Sequence, residues 1–136
     1  MKASLSLTEI KEKLSGFDLP EVDIIIGIAE GGKIPAELTS EKLECDLHLV
    51  KINFRDSENN PRFGQPKIIE GLDGIDLSGK KILLVDDVSV SGKTLNTAKT
   101  LFPENEIYSF VFKGKADFVL FPDIKTCVNW PWKSAG

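Results

Sequence analysis

Two adjacent carboxylates, Asp86 and Asp87, close an apolar run and are followed at once by the small-residue turn Ser89-Val90-Ser91-Gly92-Lys93-Thr94. A carboxylate pair can hold the hydroxyls of a polyol or face a hydrated divalent cation. Backbone amides in a small-residue turn at a helix start can hold a phosphate. The letters Gly92-Lys93-Thr94 also end a nucleotide-binding P-loop, but counting back through the G-x-x-x-x-G spacing lands on Asp87. A carboxylate there would repel the phosphate that the first glycine must enclose. The amides of residues 90–94 instead converge on a monophosphate, with the hydroxyls of Ser89, Ser91 and Thr94 as further donors and the aspartates just behind. A sugar phosphate suits that combination better than a nucleoside triphosphate. A second glycine turn, Glu30-Gly31-Gly32-Lys33, makes a poor dinucleotide fingerprint: from Gly27 to Gly32 it reads G-x-A-x-x-G, with Glu30 facing any pyrophosphate.

The elements that must position these turns are legible in the hydrophobic pattern. Ser6-Leu7-Thr8-Glu9 has capping-box spacing, Leu5 and Ile10 are placed for a hydrophobic staple, and Gly16 is a plausible stop, so a helix is expected between them. EVDIIIGIA and KKILLVDD (80–87) are continuous apolar runs rich in branched residues, the pattern of strands buried on both faces. DLHLVKINF (46–54) and EIYSFVFKG read as further strands, with shorter ones in DFVLF and TCVNW. Helical spacing follows both glycine turns, in IPAELTSEKLE with Pro35 in the first turn and from Thr94 to Leu101. Residues 55–80 are polar and rich in Gly, Pro and Asn, a long loop of the kind that is usually functional or mobile. Strand–helix–strand alternation predicts a single α/β domain over residues 1–136, Rossmann-like, with a parallel sheet and helices on both faces. Both glycine turns leave strands and enter helices, so they should share the rim at the carboxyl ends of the strands.

Bulk composition narrows the partners. A net charge of −4 argues against a nucleic-acid or membrane-surface face. Only two of 17 basic residues are arginine, Arg55 and Arg62, both in the polar segment and suited to phosphate. Cys45 and Cys127 lie far apart, and the single His48 sits in an alternating apolar run, so neither zinc nor a disulfide staple is expected. Free thiols, no signal peptide and no apolar run approaching ~18 residues point to the cytoplasm.

ILLVDDVSVSGKTL resembles the phosphoribosyl-pyrophosphate (PRPP) motif of type I phosphoribosyltransferases: a hydrophobic strand, an acidic pair and a loop ending in Gly-x-Thr. GIAEGGKIPAE resembles that family's pyrophosphate loop, KADFVLF the Lys-x-Asp-Phe segment of hypoxanthine-guanine enzymes, and NWPWK the terminal Pro-Trp of the short xanthine-guanine type. The resemblance covers most of the chain from Val22 onward and implies the type I fold with a small carboxyl-terminal hood. It implies transfer of ribose 5-phosphate from PRPP to a nucleobase, a purine rather than a pyrimidine, with release of pyrophosphate. Asp86 and Asp87 would then hold the ribose hydroxyls and, indirectly, Mg²⁺. Ser89, Val90, Ser91, Gly92, Lys93 and Thr94 would hold the 5′-phosphate, and Glu30, Gly31, Gly32 and Lys33 would face the pyrophosphate. On the base side the resemblance implies Lys113 or Lys115 for an exocyclic oxygen, with Cys127 and Trp130 nearby; core packing is the alternative for at least one of Trp130 and Trp132. Residues 55–80, with Arg55, Arg62 and Lys67, could close over the pyrophosphate and keep out water. Relatives often dimerise, so a homodimer is implied as well.

Three positions depart from a 6-oxopurine enzyme. Such relatives carry Asp at the place of Val90, an aromatic ring at that of Cys127, and often Arg or Lys at that of Glu30. Valine cannot relay a proton, and a thiol offers less stacking surface than a ring. The departures leave a second reading: a PRPP- or nucleotide-binding regulator with weak or no transfer activity.

Overall fold

Ser6 opens the first helix as its spacing predicts. In the computed structural model, which describes residues 3–28, 31–53, 67–70, 77–89, 95, 99, 102, 104–124 and 128–131, a short strand β1 (Ala3–Ser4) leads into α1 (Leu7–Ser15). The Ser6 hydroxyl accepts from the Glu9 amide at 3.1 Å and the Glu9 carboxylate accepts from the Ser6 amide at 3.2 Å, a complete capping box. Ile10 and Leu14, one turn apart, are buried. Past Gly16, the Phe17 amide donates to the Leu14 carbonyl and ends the helix.

Beyond α1 the chain alternates. The elements are β2 (Ile24–Ile28), α2 (Lys33–Leu43), β3 (Asp46–Asn53), β4 (Lys67–Glu70), β5 (Lys81–Ser89), β6 (Glu106–Gly114), β7 (Phe118–Val119) and β8 (Val128–Asn129). Six strands form one sheet in the order β4-β3-β2-β5-β6-β7. Five of them run parallel; β4 is antiparallel to β3 at the edge. All five residues of β2 and the Ile82–Val85 stretch of β5 are buried, as central strands covered on both faces require.

The alternation of side chains along these strands feeds two cores. On one face Ile25, Leu83, Val85, Phe110 and Phe112 pack with Ile10 and Leu14 of α1 and Ala36 and Leu38 of α2. On the other, Ile24, Ile26, Ile82, Leu84 and Val111 pack with Phe102 and with Leu95, which is helical. Each such aliphatic side chain removed from water contributes ~1.5–3 kcal/mol. Helices therefore cover both faces, and the sheet is the rigid platform for what stands on its rim.

The structure departs from the sequence-based expectation in two places. The 55–80 segment contains β4, a four-residue strand defined by pairing to β3 rather than by its own apolar period. Strand β5 does not end at Asp87 but runs on to Ser89, because β6 continues alongside it through Val88↔Lys113 and Ser89↔Gly114. The short strand expected in TCVNW is present in its described part as β8, which pairs in parallel with β1 through Ala3↔Val128 and Ser4↔Asn129. That pair and a core tryptophan do not by themselves make a hood. Of the helix expected over 94–101, Leu95 and Lys99 are helical and the rest lies outside the described residues.

Candidate active site at the carboxyl rim of the sheet

Strands β2 and β5 are parallel neighbours in register from Ile24↔Ile82 to Gly27↔Val85, so the turn after β2 and the acidic end of β5 meet at one rim. Gly31 and Gly32 are threaded between the two strand ends. The Gly32 amide donates to the Ile28 carbonyl at 2.8 Å, and the Gly32 carbonyl accepts from the Ala36 amide at 2.9 Å. A Cβ on Gly32 would lie 2.6 Å from the carbonyl oxygens of both Ile28 and Val85. As N-cap of α2, Gly32 brings no side chain to the first-turn amides, and that turn holds no acidic residue, so the positive end of an 11-residue helix faces the rim. Lys33 is exposed at the same helix end.

The acidic pair is divided between environments. Asp87 is only 6% exposed and its carboxylate lies against Gly31: a Cβ there would be 2.7 Å from Asp87 Oδ1. Asp87 Oδ1 also accepts from the Val88 amide at 2.7 Å. Asp86 is half-buried, and its Oδ1 accepts from the Asp87 amide at 2.8 Å. The expectation that the strand closes on the pair at Asp87 is corrected accordingly. Both lie within the strand, and successive residues there alternate faces. Asp87 is built into the floor of the glycine turn and Asp86 is the more accessible of the two.

The third wall comes from the end of β6. The Lys115 amide donates to the Ser89 carbonyl at 2.7 Å, which brings the Lys113–Lys115 segment beside the carboxyl end of β5. Lys113 is half-buried and Lys115 exposed. Gly114, not singled out in the sequence, sits between them with φ +115°. Asp117 of the Lys-x-Asp-Phe segment is structural. It pairs with Lys99 at 2.7 Å and accepts from the Ser109 amide at 2.9 Å, tying the crossover after β6 to the helical Lys99. Burial works to push the Asp117 carboxyl up, but Lys99 and Ser109 outweigh it and hold the group below its ordinary value.

Trp130 is 3% exposed and packs edge-to-face on Phe112 with ring centroids 5.9 Å apart. That corrects its assignment to the base side: the core reading holds for it. Phe118 and Phe121 pack against the same core. Cys45 is a free, half-buried thiol whose pKa is raised by burial, then by Asp46 and Asp23. Glu30, Val90, Ser91, Gly92, Lys93, Thr94 and Cys127, with Arg55 and Arg62, lie outside the described residues, as does the side chain of Lys67. Among the described residues no helix is long and apolar enough to cross a membrane. Two surface clefts, of about 360 and 430 Å³, lie elsewhere, one at the opposite rim around Asp23 and Lys81 and one between α1 and α2. Neither holds the acidic pair or the glycine turn, and enclosed volume is a weaker guide to this site than the convergence of polar groups on the rim.

A parallel sheet with an acidic strand end, a glycine turn and a helix N-terminus converging on its carboxyl rim is the frame of a sugar-phosphate-binding α/β protein. Residues 6–107 match the phosphoribosyl transferase domain family. The chain belongs to the phosphoribosyltransferases, and so to a family of transferases. It is similar to the xanthine-guanine phosphoribosyltransferase of Cereibacter sphaeroides, 35% identical over 117 residues, which span 82% of this chain and 69% of that protein. The xanthine-guanine phosphoribosyltransferase of Desulfotalea psychrophila is 29% identical over 79% of this chain and 68% of its own. Among solved structures, the purine phosphoribosyltransferase of Pyrococcus horikoshii superposes with a TM-score of 0.74 at 27% identity, covering 98% of this chain and 95% of that one. The fold is that of the type I enzymes.

Proposed function

We propose that this protein transfers ribose 5-phosphate from PRPP to a purine base. The observation that carries the reading is the contact of the glycine turn with the acidic strand: Gly31 abuts Asp87, so a pyrophosphate over the turn and a ribose over β5 would be neighbours. In the reaction a base nitrogen forms a bond to C1′. The bond from C1′ to the pyrophosphate oxygen breaks, and pyrophosphate leaves with the electron pair. The base nitrogen's proton passes to solvent, since valine at position 90 cannot take it.

Asp86, with the more open carboxylate, holds a ribose hydroxyl, an interaction that strengthens as C1′ gains positive charge. Asp87 supports it from within and fixes the turn. Ser89 and residues 90–94 hold the 5′-phosphate. Gly31, Gly32 and Lys33 supply amides and one positive charge to the pyrophosphate, and Glu30 makes compensation by cation necessary. Asp86 and Asp87 would face Mg²⁺ indirectly, a donor set that fits an ion preferring substrate oxygens and water to an all-protein cage, and the chemistry it would supply is neutralising charge for the pyrophosphate. Lys113 or Lys115 donates to an oxygen of the base, and the names of the xanthine-guanine relatives support a 6-oxopurine. Cys127 contributes less ring contact than an aromatic residue would. Mg²⁺ dependence, a homodimer and a cytoplasmic location complete the proposal.

The test is a panel of purines and pyrimidines incubated with PRPP and Mg²⁺ while pyrophosphate release is followed. Release with a 6-oxopurine supports the reading, and Val90→Asp should then raise the rate. One comparison favours a second reading: the chain is 26% identical over 105 residues to a transcriptional regulator, GfcR, of Archaeoglobus fulgidus, covering 76% of this chain and 48% of that protein. PRPP affinity without release for any base would point to such a binder.

A further inference from the structure

At the rim, the ends of β5 and β6 meet as Ser89↔Gly114. Gly114 has φ +115°, a conformation that residues with a side chain rarely adopt. A Cβ at this position would overlap the Ser89 carbonyl oxygen and lie 2.7 Å from the Ser89 carbonyl carbon. The next residue, Lys115, donates its amide to that same oxygen at 2.7 Å. The Ser89 carbonyl is thus held between a bare Cα and an N–H, and Ser89 itself is only 7% exposed.

We infer that Gly114 is a positioning residue that sets where the chain leaves β5 and therefore where the donor's 5′-phosphate is bound. The inference rests on the proposed PRPP reading, because residue 90 opens the turn assigned to that phosphate. A methyl group at position 114 cannot fit beside the Ser89 carbonyl without moving one strand end. Both neighbours of Gly114 are the lysines assigned to the base side, so one junction orients the phosphate end and the base end of the site. Displacements of this kind, well short of the chemistry, can weaken positioning by orders of magnitude.

The experiment compares Gly114→Ala with Gly79→Ala. Gly79 also has positive φ, +70°, but nothing lies within 4 Å of a Cβ there, and it precedes β5 at the opposite end. Backbone strain alone should lower the melting temperature of both variants. Only Gly114→Ala should raise the KM for PRPP and weaken PRPP binding in calorimetry, on the order of tenfold or more. Unchanged PRPP affinity and KM in folded Gly114→Ala, with binding intact in the wild type, overturns the inference and leaves the functional reading standing. A wild type that binds no PRPP sinks that reading and the inference with it. If Gly114→Ala does not fold, Lys115→Pro, which deletes the amide donated to Ser89, takes its place; normal PRPP affinity there counts against the inference and a matching loss supports it.

Discussion

Gly31 and Asp87 are in direct contact: a single added carbon on Gly31 would lie 2.7 Å from Asp87 Oδ1 and 2.9 Å from its Cγ. Because Asp87 is buried, its carboxylate has little room to retreat. Gly31→Ala should therefore destabilise the fold by ~1–3 kcal/mol, the range for overpacking a closed site. It should also weaken pyrophosphate and PRPP binding. Denaturant unfolding and inhibition by pyrophosphate measure the two effects. Combining Gly31→Ala with Asp87→Ala should give less than the sum of the separate destabilisations, since the second change removes the clash.

The unequal burial of the acidic pair separates two roles. Asp86→Asn, at the half-buried position, should lower kcat with little change in melting temperature. A loss of about 100-fold is in keeping with removing one group aimed at developing charge. Asp87→Asn should lower stability as well as turnover, because its carboxylate packs on the glycine turn and accepts from the Val88 amide. Steady-state kinetics beside thermal melts distinguish them. Equal stability losses in the two variants would contradict the division.

How much of this was legible beforehand depended on the range of the cause. Local and strongly periodic signals carried through: the Ser6–Glu9 capping box, the buried runs Ile24–Ile28 and Ile82–Val85, and the shared rim that parallel strands impose. Features created by partners distant in sequence did not. Strand β4 exists through its pairing with β3, and β5 reaches Ser89 because β6 runs beside it. Lys99 and Asp117 meet across a crossover that no local pattern announces. Gly114 had a visible sign, a glycine closing a strand before Lys115, but its necessity comes from Ser89, far away in the chain. The base side is the part least determined by sequence, because Lys113 and Lys115 offer the same chemistry and the family match ends at residue 107, before either.

Glu44 ends α2 with φ 52° and ψ 46°, a left-handed conformation that costs a residue with a side chain about 1–2 kcal/mol. Glycine adopts it freely but loses more freedom on folding. Glu44→Gly should therefore raise stability by a net ~0.5 kcal/mol without altering turnover, since Glu44 precedes the start of β3, beside Ile24 at the amino end of β2 and so at the rim opposite the site. Chemical denaturation reads the change, and a decrease would show that the Glu44 side chain contributes more than its backbone strain removes.

Asp117 makes the fold's response to acid predictable. Its folded pKa lies below the ordinary 3.8 because Lys99 and Ser109 favour the charged form more than burial disfavours it. A depressed carboxyl pKa contributes stability that is fully present above the unfolded value and is lost as pH falls through the folded one. The side chain is 42% exposed, so solvent screens the pair and the contribution at neutral pH is modest, roughly 0.5–1 kcal/mol. Asp117→Asn should reduce stability by about that amount at pH 7, while the variant and the wild type converge at pH values below 3.8. Urea melts across that range test it. A constant difference at all pH values would assign the loss to the Ser109 hydrogen bonds rather than to the ion pair with Lys99. Because the Lys99–Asp117 link ties a helix on one face of the sheet to the crossover after β6, the variant should also loosen the lysine-bearing end of that strand, seen as faster amide exchange at Lys115.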